Sequence, residues 1–167
     1  SNTIVFSSNR VSDSLSTDEK QLQKLSPNYN LFLYNIDTTT NRLIRITHTL
    51  SKDFHPLALN DSSVFYLSDQ RGIVNIFRYN LKLKTYTQVT GYNASIKDYD
   101  IDFNNRQLAM VVTQNLKENI FLIKNFDLHQ QVFTTPTHRK ELLLARGLIE
   151  RKKKEPVKPM TIKDLIN

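Results

Sequence analysis

Short segments of alternating or continuous apolar residues follow one another through the first four-fifths of the chain. They are rich in Val, Ile, Thr, Phe and Tyr, and turns with Asn, Asp, Ser or Gly separate them, which is typical of β-strands. Residues 138–151 instead place apolar side chains at helical spacing. The pattern predicts strands at about residues 3–8, 30–36, 42–47, 54–59, 63–68, 75–81, 86–90, 98–103, 107–113, 119–125 and 130–134.

These strands belong to an internal repeat. A tripeptide Asn-Leu-Phe or Asn-Ile-Phe begins at residues 30, 75 and 119, at spacings of 45 and 44. A Thr that closes a strand recurs at residues 47, 90 and 134, at spacings of 43 and 44. A period of about 40–45 residues with four strands per unit is typical of a β-propeller blade.

We therefore predict an all-β fold, a partial β-propeller of about three blades with a C-terminal α-helix and an extended tail. The first blade has three predicted strands, and its innermost strand would precede residue 1. Because propellers close with roughly four to eight blades, we expect a piece of a longer propeller or completion by another chain. Phe32, Phe77 and Phe121 occupy matching positions, and we assign them to packing between blades rather than to an aromatic ligand site.

Composition separates a body from an appendage. All 16 Phe and Tyr residues lie between Phe6 and Phe133, whereas residues 135–167 contain nine Lys or Arg and four acids. The net charge of +7 therefore arises mainly from the tail. We predict propeller blades over 1–134, a basic amphipathic helix over 135–155 and an extended tail over 156–167. The chain has no Cys, which excludes disulfides and thiolate chemistry, and no apolar run of membrane-spanning length.

Two segments are candidates for partner binding. The first repeat carries a polar insertion at about residues 11–28, in which Glu19, Gln21 and Gln23 would lie on a short helical stretch. A long loop on a rigid scaffold is a reasonable binding element, and the alternative is a tolerated surface insertion.

The second candidate is the C-terminal helix, where Leu142, Ala145, Leu148 and Ile149 form an apolar stripe before a basic run. A lone helix of this length is marginal in water, so we expect the stripe to pack on the last blade near residues 126–133, or on a partner protein. The basic run fits a solvated helix end, protein docking, or nucleic acid and lipid binding. The candidate partner-binding residues here are Leu142, Leu148, Ile149, Arg151, Lys152, Lys153 and Lys154.

No catalytic motif is visible, and we predict a non-enzymatic protein with no cofactor and no metal. The chain has three glycines and neither a nucleophile elbow nor a phosphate-binding loop. Asp98, Asp100 and Asp102 alternate along one strand and would share a face, but they lack the Gly and closing Glu of calcium loops. We interpret them as a solvent-facing row.

Residues 4–10 (IVFSSNR) and 66–72 (YLSDQRG) resemble the F-x-S-x-R-x-G turn of TolB-like, WD-repeat-like β-propellers. The segments Asn30–Tyr34 and Arg45–Thr47 are similar to the family's N-[IL]-[FY] strand and R-x-[LIV]-T closure. The chain departs from the family at Leu57–Ser62, where neither the Trp nor the Gly of W-S-P-D-G is present. The stretch from Tyr66 to Arg151 further resembles large Bacteroidetes envelope proteins that carry such a propeller.

This resemblance implies a non-catalytic protein–protein interaction scaffold of the bacterial cell envelope, in the periplasm or at the outer membrane. Its partners would be further blades or an envelope protein, with no nucleic acid and no small-molecule substrate. Related blades also occur in prolyl oligopeptidases and the tricorn protease. The alternative is therefore the non-catalytic propeller domain of a peptidase whose catalytic domain lies outside this chain.

Overall fold

The computed structural model describes residues 2–16, 25–37, 39 and 42–154. Within them the chain forms strands followed by one helix near its C-terminus. The strands are β1 (Thr3–Ser8), β2 (Asn30–Asn35), β3 (Ile44–Arg45), β4 (Asp53–Asn60), β5 (Ser63–Ser68), β6 (Asn75–Asn80), β7 (Thr85–Gln88), β8 (Ile96–Asp102), β9 (Gln107–Gln114) and β10 (Lys117–Ile123), and the helix is α1 (His138–Lys154).

The strands form three antiparallel sheets, and none of them closes on itself. The first sheet has the order β1-β2-β3, the middle sheet β4-β5-β6-β7 and the third sheet β8-β9-β10. Neighbours in each sheet are also neighbours in the chain, as expected for strands joined by short turns. The mostly β architecture agrees with the sequence prediction, and each sheet corresponds to one copy of the repeat.

The middle sheet is covered on both faces. Strand β5 reads SVFYLS, and all its residues after Ser63 are buried. Because side chains alternate between the two faces of a strand, Phe65 and Leu67 join a core shared with the third sheet, while Val64 and Tyr66 join a core shared with the first sheet. A continuous apolar run thus marks the strand that is buried on both sides.

The repeated Asn and Thr form the same hydrogen-bonded contact in the first two sheets. In the middle sheet the Thr90 hydroxyl donates to Asn75 Oδ1 and accepts from the Ile76 amide, both at 2.9 Å. In the first sheet Thr47 donates to Asn30 Oδ1 at 3.4 Å and accepts from the Leu31 amide at 2.9 Å. We call this contact the Asn–Thr clasp. It holds the residues that follow the last strand of a repeat against the start of its second-to-last strand.

The third repeat does not form the clasp, and the predicted strand at 130–134 is wrong. Its Asn119 is exposed in β10, and Thr134 donates instead to Gln88 Oε1 at 3.0 Å. The Val132 amide donates to the Gln88 carbonyl oxygen at 2.9 Å. Residues 131–134 therefore lie along the edge of the middle sheet and not beside β10.

The phenylalanines at matching positions of the repeat also differ in burial between the third sheet and the other two. Phe77 is 1% exposed in the core between the first and middle sheets, as expected for packing between blades. Phe32 is also fully buried, but it lies outside that core, against Phe6 and the guanidinium groups of Arg10 and Arg45. Phe121, in contrast, is 40% exposed, because no fourth strand of the third sheet covers β10 within the described residues.

A buried carboxylate joins the first and middle sheets. Asp53 begins β4 and is fully buried, where it accepts hydrogen bonds from Ser68 at 2.6 Å and from Thr49 at 2.7 Å. Burial raises the pKa of Asp53 above its usual value, and the two hydroxyl donors oppose that rise. Thr49 belongs to the connection between β3 and β4, so the network ties this connection to β5.

The Asn–Thr clasp predicts a difference between equivalent positions of the repeat. We expect Asn75→Ala to lower the free energy of unfolding by about 2 kcal/mol or more, because the buried Thr90 hydroxyl and the Tyr92 amide lose their acceptor. Asn119→Ala, the matched control, should change it by less than about 0.5 kcal/mol because Asn119 is exposed. Urea unfolding measures both, and equal costs would contradict a role for the clasp.

Candidate partner-binding surface

The chain between β10 and α1 is attached to the middle sheet. Besides the contacts with Gln88, the Arg71 guanidinium lies 4.8 Å from the centre of the Phe133 ring, a cation–π contact. The Thr137 amide donates to the Arg71 carbonyl oxygen at 3.0 Å. These contacts bring the start of the helix to the turn after β5.

Thr137 caps helix α1. Its hydroxyl accepts from the Lys140 amide at 3.4 Å, the N-cap geometry that the sequence Pro136-Thr137 favours. Glu141 lies in the first turn, where a negative charge suits the helix dipole. The helix therefore begins at His138 for local reasons, while its position is determined by contacts with the middle sheet.

A buried ion pair holds the first turn of the helix in place. Lys140 is 6% exposed, and its Nζ lies 3.0 Å from Asp69 Oδ1. The same oxygen accepts from the Lys52 amide at 2.9 Å. A lysine is rarely this buried without a partner, so the pair defines where α1 meets the sheet.

Gly72 allows this close approach. It has a φ of +90°, and a Cβ built there would lie 2.0 Å from Thr137 Oγ1. A side chain at this position would therefore be strained and would also displace the helix cap.

Further along, the side of the helix that faces the protein contains Leu144 and Gly147. A Cβ at Gly147 would lie 2.9 Å from Leu50 Cδ1, so the glycine permits close packing on the connection between β3 and β4. This inner side was not predicted from the sequence. The available signal was Gly147 itself, because a glycine inside a helix often marks a close approach.

The predicted stripe faces outward. Leu142 is 49% exposed, Leu148 55% and Ile149 54%. The expectation that the stripe packs near residues 126–133 is wrong, because the ion pair and Gly147 turn a different side of the helix towards the protein. The structure thus presents these apolar side chains on the surface.

The other predicted partner-binding residues are only partly described. Lys152 and Lys153 are exposed at the end of α1, close in sequence to Leu148 and Ile149. The side chains of Arg151 and Lys154 lie outside the described part of the structure, as do Glu19, Gln21 and Gln23. The exposed stripe and the basic helix end therefore form one continuous candidate surface on the helix.

A cleft of about 410 Å³ lies beside the helix. Leu144 forms one wall, and the connection between β3 and β4 forms another. Its charged and aromatic lining consists of His48, Arg71, Lys84, Tyr79 and Tyr86, and none of the described residues that line it is a carboxylate. The cleft has the electrostatic character to receive an acidic or neutral side chain of a bound protein.

The aspartate row on β8 has a structural explanation. Asp98, Asp100 and Asp102 are all exposed, as predicted. Asp98 lies 2.8 Å from His55 Nδ1, and amide donors from Asn105 and Asn104 lower the pKa of Asp102. Burial, together with the charges of Asp100 and Asp98, raises the pKa of Tyr99 well above its usual range.

Across the residues described, no three His, Asp or Glu side chains are arranged to hold a metal ion.

Comparison with known proteins indicates the fold alone. No protein-family model matches the chain, and no curated protein matches its sequence. Among solved structures it is similar to a protein of Agrobacterium tumefaciens described as a candidate TolB, with a TM-score of 0.50 and 13% identity. The match covers 58% of this chain and 38% of the other, so this chain spans well under two thirds of that neighbour. In the described segments, no helix is long and apolar enough to cross a membrane.

The close contact at Gly72 predicts that one methyl group added at this position weakens the attachment of helix α1 to the middle sheet. We expect Gly72→Ala to lower the free energy of unfolding by more than about 1 kcal/mol and to speed hydrogen exchange in α1, because the side chain displaces Thr137. Gly147→Ala is the control. It meets only the movable end of the Leu50 side chain, which must shift slightly, and it gains helix propensity, so its cost should be clearly smaller than that of Gly72→Ala. Unchanged exchange in Gly72→Ala would contradict this docking geometry.

Proposed function

We propose that this chain is a non-catalytic protein–protein interaction scaffold made of TolB-like propeller blades, part of a bacterial cell-envelope protein or complex. Three antiparallel sheets, stacked face to face and derived from one repeat, support a propeller-type arrangement. The similarity to the Agrobacterium tumefaciens protein supports the same type of domain. The envelope location rests on the resemblance of the repeat residues to TolB-like proteins.

One observation carries the interaction role. Helix α1 is attached to the middle sheet through Lys140 and Gly72, and it still leaves Leu142, Leu148 and Ile149 about half exposed. Apolar side chains that are held rigidly on a surface lose little conformational entropy when a partner covers them. A helix in this state is suited to bind a partner by its outer face.

The charges around this surface indicate the chemistry of the partner. Lys152 and Lys153 lie at one end of the apolar stripe, and His48, Arg71 and Lys84 line the cleft on the other side of the helix. A partner surface with an apolar centre and acidic residues at its rim would complement both.

The proposal predicts that Leu148→Asp weakens partner binding without weakening the fold. Immobilised chain, exposed to an envelope extract of the source bacterium, would show which proteins are captured and by how much. We expect Leu148→Asp to reduce capture of the specific partner at least about tenfold, because a charge would enter the apolar contact. Its free energy of unfolding should change by less than about 0.5 kcal/mol, since Leu148 is already exposed.

Ile36→Asp is the matched control. Ile36 is 56% exposed after β2 and does not line the cleft beside the helix, so its replacement should leave capture unchanged. Equal capture by all three proteins would contradict a binding role for the helix. Capture of a serine hydrolase that requires Leu148 would instead favour the role of a peptidase's propeller domain.

A further inference from the structure

The last strand of each sheet leaves one edge with unpaired backbone groups, and two of these three edges are covered by the chain itself. Beside β3, Ser14 forms an antiparallel bridge with Arg42, and the Leu43 amide donates to the Asp13 carbonyl oxygen at 2.7 Å. Beside β7, Val132 donates to Gln88 as described above. Covering an edge with an extended segment prevents unwanted strand pairing.

The edge of β10 has no such cover. Within the described residues, β10 pairs with β9 alone, and no other backbone group is hydrogen-bonded to its outer side. The strand is also unusually apolar for an exposed one, with Ile120 81% exposed, Leu122 59% and Phe121 40%. An uncovered apolar edge is a template for an additional strand.

The hairpin between β9 and β10 determines which backbone groups of β10 are free. Asn115 and Leu116 have positive φ angles of 49° and 62°, and they form a two-residue turn between the paired Gln114 and Lys117. In such a hairpin the flanking residues exchange hydrogen bonds, and the pattern then alternates along the strand. The odd-numbered residues of β10 therefore bond to β9. The amides and carbonyls of Glu118, Ile120, Leu122 and Lys124 point away from the sheet.

These free groups are self-complementary. An antiparallel copy of β10 centred on Phe121 would place Glu118 opposite Lys124 at both ends and Ile120 opposite Leu122 in between. All four are residues whose backbone groups are free, so the hydrogen bonding and the side-chain pairing agree in one register. Centring the pair on Ile120 or Leu122 would instead place Glu118 or Lys124 opposite an apolar residue.

From this agreement we propose that β10 pairs with β10 of a second copy of this chain and forms a two-fold symmetric dimer. The two third sheets then become one continuous sheet. Phe121 of each copy lies on the symmetry axis, in a pair whose side chains approach closely because they do not share backbone hydrogen bonds. The other edge of the sheet, β8, bears exposed Asp98, Asp100 and Asp102, which disfavour further strand addition. Association therefore ends at the dimer.

A single cysteine tests the register directly, because the chain has none of its own. We expect Phe121→Cys to form a covalent dimer rapidly under mild oxidation, since residues opposite each other at a two-fold axis meet disulfide geometry. Ile123→Cys is the control. In the proposed register it faces Asn119, and the two copies of residue 123 would be roughly 13 Å apart. It should therefore remain reduced.

A charge exchange tests the same interface in solution. Glu118→Lys and Lys124→Glu should each weaken the dimer at least about tenfold, equivalent to about 1.4 kcal/mol, by placing like charges opposite each other. An equimolar mixture of the two variants should restore association, because every facing pair is then of opposite sign. Lys117→Glu makes the same charge change outside the facing pairs and should leave the dimer intact. Sedimentation velocity of the full chain measures all four samples.

Restored association in the mixture also shows that the two variants are folded. The proposal is overturned if the natural chain is monomeric at high micromolar concentration, or if the cysteines at 121 and 123 cross-link equally. It is also overturned if the mixture associates no better than each variant alone, or if association is open-ended.

Discussion

The extended segment of residues 131–134 can hydrogen-bond to only one sheet edge at a time. In the structure it lies against Gln88 at the edge of the middle sheet. In this position the segment covers the β7 edge and brings Thr137 to the turn after β5. From there Lys140 reaches Asp69, so the helix is attached to the middle sheet. Because the segment lies there, the outer edge of β10 is left uncovered. The exposed helix face and the exposed strand edge thus have a common origin in the path of one short segment.

The parts of the structure that were predicted from the sequence are those that local pattern determines. Alternating apolar positions identified the strands of all three sheets, and the recurring Asn and Thr identified the repeat. The Asn–Thr clasp explains why Asn and Thr recur together in the sequence. When both residues are buried, Asn75 and Thr90 each need the other as a hydrogen-bond partner. The helix was predicted for a similar reason, because the helical spacing of its apolar residues is a property of the segment itself.

The parts that were not predicted depend on contacts between distant residues. Residues 130–134 have the composition of a strand, but composition does not indicate which edge a strand will join. The apolar stripe of α1 was expected to pack on the last blade or on a partner protein. In the structure Lys140 is among the residues that face the middle sheet instead, because Asp69 lies 71 residues earlier in the chain and 3.0 Å away in space. Asp53 was not identified either. Its role follows from hydroxyl groups of Ser68 and Thr49 that the fold brings together.

The most direct measurement is a pair of engineered disulfides that report which edge the segment joins. A Cβ at Gly91 would lie 3.9 Å from the Cβ of Val132, within the usual range for a disulfide of about 3.5–4.5 Å. We therefore predict that the variant with Gly91→Cys and Val132→Cys forms a disulfide within each folded chain. The variant with Asn119→Cys and Thr134→Cys, which the sequence repeat alone would pair, should remain reduced. A disulfide in the second variant and not in the first would contradict the account.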